Sequence, residues 1–358
     1  MQRRTSKIRR VCTSSLLAAV AAAPVMAAQV RFDNGGGNNL WENPLNWDNA
    51  GADGLPTTAD IADIGSLFTA SISSAQTVSE VQVQWPNSST TYLPGTATLN
   101  ILPGTNLQAT STNGVRIGRQ VQTGQAAGSS TGVVNQTGGL FQVNAGTNGI
   151  RLSQADSGTV ADSVYVLSGG SVRGGATNGS MTAPLQIGNI ANTFTRAEFR
   201  MVGTGPTEAR FEDVRMQGGV NGQAVLKFVL DASGVTPLIA EDELRFSGTN
   251  NTNLLQVELS ALAPQADITL VTADRLTTNS GAPSETFTGL PDGAPISAVF
   301  GTTQYNWLVR YQDGSDDGVL DAFVKLQFVS TQDVPEPVGM TALVGLGALA
   351  LLRRRGRC

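Results

Sequence analysis

A short alternating pattern recurs at a fixed spacing in the middle of the chain. Val115-Arg116-Ile117-Gly118 returns as Ile150-Arg151-Leu152-Ser153 and again as Leu185-Gln186-Ile187-Gly188, each 35 residues after the last. A unit of this size cannot bury its apolar face alone, but stacked copies can cover one another. The spacing therefore predicts an all-β fold built as an elongated stack, a parallel β-helix or β-solenoid.

A second strand in each unit ends in a glycine-rich turn. These strands read VVNQTGG, VYVLSGG and FRMVGTG, and they start at Val133, Val164 and Phe199. Apolar and polar residues alternate, so one face of each strand should be buried and the other solvated. An antiparallel β-sandwich would show the same alternation and stays open as an alternative. The 35 residues fit either one rung with a protruding loop or about one and a half rungs.

The period loosens from about Gln217, which predicts a change of architecture there. Further strands follow, and the stretch 286–328 contains a Gly-Leu-Pro-Asp-Gly turn, an aromatic-rich hairpin and an Asp-rich turn. We interpret residues 217–329 as a β-rich closing module in which Trp307 is buried. Residues 330–333 are predicted to be a short linker.

Two tryptophans stand near the start of the body. Trp41 and Trp47 are six residues apart, so they share a face if the intervening chain is extended. Large aromatics can cover the open end of a stack that would otherwise expose apolar surface and strand edges. We therefore predict a cap, while a carbohydrate platform of exposed tryptophans is the alternative.

The N-terminal 28 residues have the composition of a secretory signal peptide. A basic start is followed by a short apolar stretch, 11–23, and by small residues at Ala27 and Ala28. Cleavage after Ala27 or Ala28 is expected, by a signal peptidase. The apolar run is too short for a retained membrane anchor.

The C-terminal 25 residues combine three features in a fixed order. Val334-Pro335-Glu336-Pro337 comes first, an apolar run over 338–352 follows, and Arg353, Arg354 and Arg355 come last. Prolines cannot continue a regular helix, so the apolar run starts as a separate helix. Fifteen residues at a rise of about 1.5 Å give roughly 22 Å, enough for a single transmembrane helix if flanking residues and local thinning make up the difference. The arginines should stay in the cytoplasm.

This order resembles the PEP-CTERM sorting signal of exported proteins in Gram-negative bacteria. The resemblance implies recognition and processing by an exosortase, transient anchoring in the inner membrane, and a final location at the cell surface or outside the cell. The glycine-rich repeats are similar to those of autotransporter-like β-solenoid surface proteins. The stretch 40–65 resembles the first-coil segment of such proteins, and the stretch 286–328 resembles their terminal module.

Charge and composition exclude several functions. Without the two predicted targeting segments the chain carries 14 basic and 27 acidic residues, so it should repel nucleic acid rather than bind it. The sequence contains no histidine, and its cysteines, Cys12 and Cys358, both lie in the terminal segments. Disulfides within the body, Cys/His zinc sites, Ser-His-Asp triads and Cys-His dyads are therefore excluded.

Any catalysis would have to rest on carboxylates, as in polysaccharide lyases or glycosidases. The candidate clusters are Glu212-Asp213 and Glu241-Asp242-Glu243. Neighbouring residues of a strand point to opposite faces, so Glu212 and Asp213 cannot form a facing pair by themselves. We predict no catalytic site and no cofactor.

The stretch 313–321 partly imitates a calcium loop. Oxygen ligands are available at Asp313, Ser315, Asp317 and Asp321, with a glycine near the middle. Val324 stands where an EF-type loop has its closing bidentate acid, so a hairpin turn is the favoured interpretation.

These observations predict five parts and two candidate functions. The parts are a signal peptide (1–28), a capping region with the first strands (29–110), degenerate repeats (111–216), the closing module (217–329), and the linker with the sorting signal (330–358). The favoured function is that of an exported structural protein of the cell surface or extracellular matrix. The alternative is a β-helix that binds or degrades extracellular polysaccharide.

Overall fold

The computed structural model is entirely β apart from one 3₁₀ turn at Pro44–Asn46, within the residues that it describes. Those residues are 27–49, 51–65, 67–84, 95–119, 130–144, 148–154, 161–175, 181–189, 196–219, 222–248, 252–279, 285–315 and 317–334. Most of the predicted signal peptide and all of 335–358 lie outside them. Among the described residues, no helix is long and apolar enough to cross a membrane.

The chain forms 26 strands in the described ranges. In order they are β1 (Gln29–Phe32), β2 (Trp47–Asn49), β3 (Ala52–Asp53), β4 (Ile61–Ile64), β5 (Thr69–Ile72), β6 (Gln76–Val78), β7 (Glu80–Val83), β8 (Thr96–Ile101), β9 (Asn106–Ala109), β10 (Val115–Arg119), β11 (Ser130–Val143), β12 (Ile150–Gln154), β13 (Ala161–Arg173), β14 (Leu185–Ile187), β15 (Arg196–Val202), β16 (Pro206–Phe211), β17 (Val214–Gln217), β18 (Gln223–Leu230), β19 (Leu238–Ala240), β20 (Glu243–Ser247), β21 (Asn253–Leu259), β22 (Ile268–Ala273), β23 (Arg275–Asn279), β24 (Pro295–Phe300), β25 (Thr303–Gln312) and β26 (Ala322–Asp333).

The strands build a parallel β-solenoid whose coils have three faces. Sheet A forms one face, in the order β23-β20-β17-β14-β12-β10-β7-β4-β1-β2-β3, and sheet B wraps the other two. Val115 pairs in parallel with Ile150, and Ile150 with Leu185. Each 35-residue unit is therefore one complete coil. The predicted all-β parallel solenoid is confirmed, and the antiparallel sandwich is not the fold.

Glycines are required where the coils turn into sheet A. Gly114 and Gly149 have φ values of 66° and 50°, a conformation that side chains disfavour. A Cβ at Gly149 would lie 1.8 Å from the Pro184 carbonyl oxygen, and one at Gly114 would lie 2.1 Å from that of Gly149. Any side chain here would push neighbouring coils apart.

Two predicted boundaries differ from the structure. The coils do not stop at residue 217, because Val214 pairs in parallel with Leu244, and Leu244 with Leu276. The 35-residue period is lost because the coils shorten after Leu185, to 29 residues up to Val214 and 30 up to Leu244, while the inward residues stay in register. The predicted linker 330–333 is also wrong, since β26 continues to Asp333 and pairs with β25. Its residues, Ser330, Thr331, Gln332 and Asp333, are all polar and suit a solvated antiparallel strand.

The core runs the length of the stack and is largely aliphatic with an aromatic ladder. Phe141, Tyr165 and Phe199 come from successive coils, with centroids 6.3 and 5.2 Å apart, and all three are fully buried. Gln136 is buried among them, and its amide oxygen accepts a hydrogen bond from the Tyr165 hydroxyl. The polar group inside the core is thus satisfied, as burial demands.

The N-terminal end is closed by aromatic side chains and a hairpin. Trp41 and Trp47 are fully buried, with ring centroids 4.5 Å apart, and Trp47 also packs against Phe32. Strands β2 and β3 add to β1 in antiparallel fashion. The carbohydrate platform is excluded for these tryptophans because their rings are inside the protein.

The C-terminal end changes pairing in sheet B. Strand β26 runs antiparallel to β22 and is followed by β25 and β24. Trp307 is buried, as predicted, and Phe287 packs on Phe246 with centroids 5.1 Å apart. The antiparallel strands therefore cover the last coil.

Candidate functional site

The two acidic clusters singled out in the sequence meet at one corner of the solenoid, which we call the acidic corner (Glu212, Asp213, Glu241, Asp242, Glu243). They occupy adjacent coils, because the Asp242 N–H donates to the Glu212 carbonyl at 2.8 Å. Carboxylate oxygens of Asp213, Asp242 and Glu243 lie within 4.8 Å of one another. Stacking of the coils, and not the local sequence, brings these carboxylates together.

Each of these three acids is paired with an arginine. Asp213 accepts from Arg215 at 2.5 and 3.0 Å, Glu243 forms an ion pair with Arg245, and the Asp242 carboxylate lies 2.8 Å from the Arg275 guanidinium. Acid and arginine are two residues apart in Asp213-Val214-Arg215 and in Glu243-Leu244-Arg245, so they share the outer face of a strand. Two of the three pairs thus follow from the alternation, while the pair of Asp242 with Arg275 depends on the stacking of two coils.

The remaining acids of the acidic corner, Glu212 and Glu241, have different surroundings. The Glu241 carboxylate accepts from the Met181 N–H at 2.6 Å and lies 2.6 Å from the Arg210 guanidinium. Burial raises the pKa of Glu212, and the negative charges of Asp213, Asp242 and Glu241 raise it further, against the opposing effect of Arg215. The corner therefore carries a slight excess of negative potential at Glu212.

The chemistry available at the acidic corner is limited by these ion pairs. A glycosidase needs one carboxyl group as acid and a second, free carboxylate facing the substrate. Asp213 and Glu243 are buried and already bound to guanidinium groups. A cation would have to compete with Arg215, Arg245 and Arg275 for the same oxygens. The geometry favours a structural ion-pair network.

The carboxylates of the predicted calcium loop already accept hydrogen bonds, mostly from backbone N–H groups. Asp313 accepts from the Leu276 and Gly314 N–H groups at 2.9 Å, and Asp317 accepts from Val319 at 3.0 Å. Asp321 accepts from the Ser315 N–H and hydroxyl. The loop therefore holds the edge strand β23 through Asp313, as a hydrogen-bonded turn does.

The residues predicted for processing flank the folded body. The Ala28 carbonyl accepts from the Ile61 N–H at 2.7 Å, one residue before β1. The Val334 N–H donates to the Thr302 carbonyl at 2.7 Å, one residue after β26. Pro335, Glu336, Pro337, Arg353, Arg354 and Arg355 lie outside the described residues.

Sequence reasoning missed a polar row on the outer face of sheet A, which we call the axial row. Its members are paired strand by strand in the printed register. From the N-terminal edge they are Asp53, Asp48, Arg31, Asp63, Gln82, Arg116, Arg151, Gln186, Arg215, Arg245 and Thr277. The signal was present, since Arg116, Arg151 and Gln186 occupy the second position of the 35-residue repeat.

No family model, no curated protein and no solved structure matches this chain. Function must therefore be argued from the residues and the geometry.

Proposed function

We propose that this chain is an exported structural protein of the cell surface or extracellular matrix, delivered by an N-terminal signal peptide and sorted by a C-terminal PEP-CTERM signal. One observation carries the proposal. The continuous body runs from β1 at Gln29 to β26 at Asp333, and the predicted cleavage and recognition motifs stand directly outside those limits. Cleavage after Ala27 and removal of residues 335–358 would leave every strand intact, while cleavage after Ala28 would also remove the carbonyl that accepts from the Ile61 N–H.

The nature of the body supports a structural role over an enzymatic one. The tryptophans Trp41, Trp47 and Trp307 are buried, so they offer no stacking surface to a sugar. The clustered carboxylates of the acidic corner are held by arginines. The polysaccharide-binding or polysaccharide-degrading alternative needs a surface lined by several aromatics beside a carboxylate pair, whereas among the described aromatic side chains only Phe300 is exposed, at 38%.

The sorting residues have separate roles in this proposal. Pro335, Glu336 and Pro337 form the segment recognised by an exosortase-type processing enzyme, while the apolar run holds the protein in the inner membrane. Arg353, Arg354 and Arg355 stop transfer on the cytoplasmic side. Signal peptidase acts at Ala27 or Ala28.

Truncation in a producing bacterium tests the proposal. Removing residues 335–358 should move the protein from the membrane and surface fractions into the medium, with the melting temperature of the body unchanged because β26 is intact. A matched variant with Pro335, Glu336 and Pro337 all replaced by Ala keeps the apolar run, so it should stay in the membrane fraction unprocessed. Unaltered localisation of the truncated protein would refute the sorting proposal.

A further inference from the structure

The hairpin of β24 and β25 has an exposed apolar end. Val299 and Phe300 are the last residues of β24, and their side chains are 51% and 38% exposed. Neighbouring residues of a strand point to opposite faces, so both faces of the hairpin are uncovered here. Ala298, just before them, is buried, whereas a Cβ at Gly301 would meet no atom within 4 Å apart from its chain neighbours. The end of the hairpin therefore projects beyond the core, and we call residues 299–303 the hairpin tip.

The chain leaves the folded body beside the hairpin tip. Thr303 pairs with Asp333, the last residue of β26, and the Thr302 carbonyl accepts from the Val334 N–H at 2.7 Å. The apolar run begins at Val338, four residues after Val334. Four residues span at most about 14 Å even when they are fully extended, so Thr302 lies within about 17 Å of the start of the apolar run.

Charge on the closing strands β24, β25 and β26 lies away from the tip, apart from Asp333. The ranges 295–309 and 326–332 contain no charged residue. The other two charges of these strands, Arg310 and Lys325, are paired with each other in the register. Arg310 is seven residues from the start of β25, which is about 24 Å at the rise of an antiparallel strand. The end from which the chain leaves is therefore nearly uncharged, although the body as a whole is acidic.

We propose that the hairpin tip inserts into the interfacial layer of the inner membrane while the chain is anchored there, so that the body stands on the bilayer by its C-terminal end. The inference rests on the proposed function, because the apolar run must hold the chain in the membrane. The partner is a lipid surface, and Val299 and Phe300 are the side chains that enter it.

A bilayer fits this tip better than a protein partner does. The headgroup layer is roughly 6 Å thick on each side of the hydrocarbon, so a tip tethered this closely needs only a short approach to enter it. Val299 and Phe300 point to opposite faces, and a flat protein surface would cover only one of them. A tip that enters an apolar layer end-on covers both, and phenylalanine is among the residues that segments at membrane interfaces bury.

The attraction is apolar and not electrostatic. An acidic body should be repelled by anionic lipids, and no basic side chain lies in the hairpin tip. Asp333 is exposed at the end of β26, where its carboxylate can stay among the headgroups. Two apolar side chains are too few to hold a protein at a membrane by themselves. The apolar run makes their contact intramolecular, which raises the effective concentration of lipid at the tip.

A fluorescent probe at the tip tests this inference. The unprocessed variant described above, in which Ala replaces the Pro-Glu-Pro motif, is given Ser at both natural cysteine positions. It is taken from the membrane fraction and reconstituted in vesicles of three parts phosphatidylethanolamine to one part phosphatidylglycerol. A nitrobenzoxadiazole probe is attached at Thr302→Cys or, as a matched site, at Val319→Cys. Val319 is 56% exposed and lies in the loop that joins the other ends of β25 and β26.

We expect lipids with a nitroxide near the headgroup to quench the probe at position 302 at least about twofold more than the probe at position 319. Because the contact is apolar, the excess quenching should persist in about 1 M salt. Loss of the excess in salt would overturn the inference, since it would mean an electrostatic contact.

Tethering alone brings position 302 near the vesicle, so the decisive comparison places charge at the tip. Val299→Asp combined with Phe300→Asp should remove the excess quenching, because carboxylates are costly in an apolar layer. Val319→Asp combined with Leu320→Asp makes the same charge change at exposed positions of the opposite end and should leave it. The milder pair Val299→Ser with Phe300→Ser should reduce it in the same direction. Melting temperatures check that each variant is folded.

Failure of the inference and failure of the proposed function give different results. Excess quenching that the tip substitutions leave unchanged, or equal quenching at positions 302 and 319, would overturn the inference and leave the anchoring intact. Anchoring is measured separately, as flotation with the vesicles that is lost when residues 335–358 are removed. Flotation that does not depend on those residues would refute the anchoring, and the inference with it.

Discussion

The two ends of the solenoid stop the same parallel stack in different sheets. At the N-terminal end the switch to antiparallel pairing occurs in sheet A, where β2 and β3 extend β1. At the C-terminal end it occurs in sheet B, where β26 pairs with β22. Antiparallel strands can be joined by tight turns, whereas another parallel strand would need another coil. A stack of coils is therefore ended by changing the direction of pairing.

The two ends share two features, tryptophans that cover the core and a carboxylate that accepts from backbone N–H groups, and they differ in the hydrogen bonds of these groups. Tryptophans cover the core at both, but the Trp47 indole donates to the Trp41 carbonyl at 2.7 Å, whereas the buried Trp307 indole nitrogen has no hydrogen-bond partner. A carboxylate also accepts from backbone N–H groups beside an edge at both, Glu42 at Ser73 and Ser74, and Asp313 at Leu276. Each end thus has one buried indole nitrogen without a hydrogen-bond partner, that of Trp41 at the N-terminal end and that of Trp307 at the C-terminal end, whereas the Trp47 indole is bonded.

Removing the capping tryptophans should have the largest effect. Trp47→Ala and Trp307→Ala should each lower the free energy of unfolding by about 3–5 kcal/mol, since both rings are buried. Trp47→Phe should cost about 1 kcal/mol more than Trp307→Phe, because only the former loses a hydrogen bond. Urea denaturation of the four variants measures both differences.

The two phenylalanine variants give the sharper comparison, because each keeps an aromatic ring at the site and loses only the indole N–H and part of the ring volume. An equal cost for Trp47→Phe and Trp307→Phe would contradict the stabilising role of the hydrogen bond from the Trp47 indole to the Trp41 carbonyl. Leu262→Ala serves as a control, because this side chain is 55% exposed and should change stability little.

The second largest effect is a pH dependence of stability that we expect at the N-terminal end, where Asp63 is buried. The pKa of Asp63 is raised to about 7, chiefly by burial and also by the negative charge of Glu80, although the Gln29 amide and Arg31 act in the opposite direction. The folded protein therefore holds this proton more tightly than the unfolded chain, so the contribution to stability is complete below about pH 4 and is lost as the pH rises to about 7. The N-terminal coils should loosen first in mild alkali.

Asp63→Asn checks this directly. The variant should match the natural protein near pH 4 and exceed its stability at pH 8 by about 2–4 kcal/mol. Hydrogen exchange at β1 and β4 should show the gain, and exchange at β22 and β26 should not change. A difference between the two proteins that is constant from pH 4 to pH 8 would contradict the assigned pKa.

The fold was predictable to the extent that it depends on a regular repeat. Val115, Ile150 and Leu185 fall in register because the coils between them have equal length. After Leu185 the coils are shorter and unequal, 29 residues to Val214, 30 more to Leu244 and 32 more to Leu276, so a fixed period no longer finds these residues, although they stack equally well. Periodicity in sequence thus detects equal coils, whereas the structure requires only aligned inward residues.

The candidate sites were predictable in composition and not in arrangement. The absence of histidine excluded whole classes of chemistry. Alternation was applied to Glu212 and Asp213, but these two residues lie between β16 and β17 and not within a strand. The contact of Asp213 with Glu243 depends on which residues of two coils stack, and unequal coil lengths hide that from the sequence. The alternation does place Arg215 on the face of Asp213 and Arg245 on the face of Glu243, whereas the pair of Asp242 with Arg275 joins two coils.

The smallest effect concerns the carboxylate contacts at the two ends. Glu42→Gln and Asp313→Asn each replace a carboxylate that accepts from backbone N–H groups, and each should cost about 1–2 kcal/mol. Although burial acts to raise the pKa of Glu42, the bonds from Ser73 and Ser74 hold it below its ordinary value. Its contribution is therefore present at neutral pH and is lost as the pH falls through that lowered pKa.

A comparison of melting temperatures with and without calcium tests whether the C-terminal loop 313–321 binds an ion. Because Asp313, Asp317 and Asp321 already accept hydrogen bonds within their loop, we expect the melting temperature to be the same in EDTA and in excess calcium. Asp321→Asn should then be indifferent to calcium, with Glu42→Gln as the control at the other end. A rise in melting temperature with calcium that Asp321→Asn abolishes and Glu42→Gln retains would mean that the loop closes the stack by binding an ion, and that the two ends are capped by different chemistry.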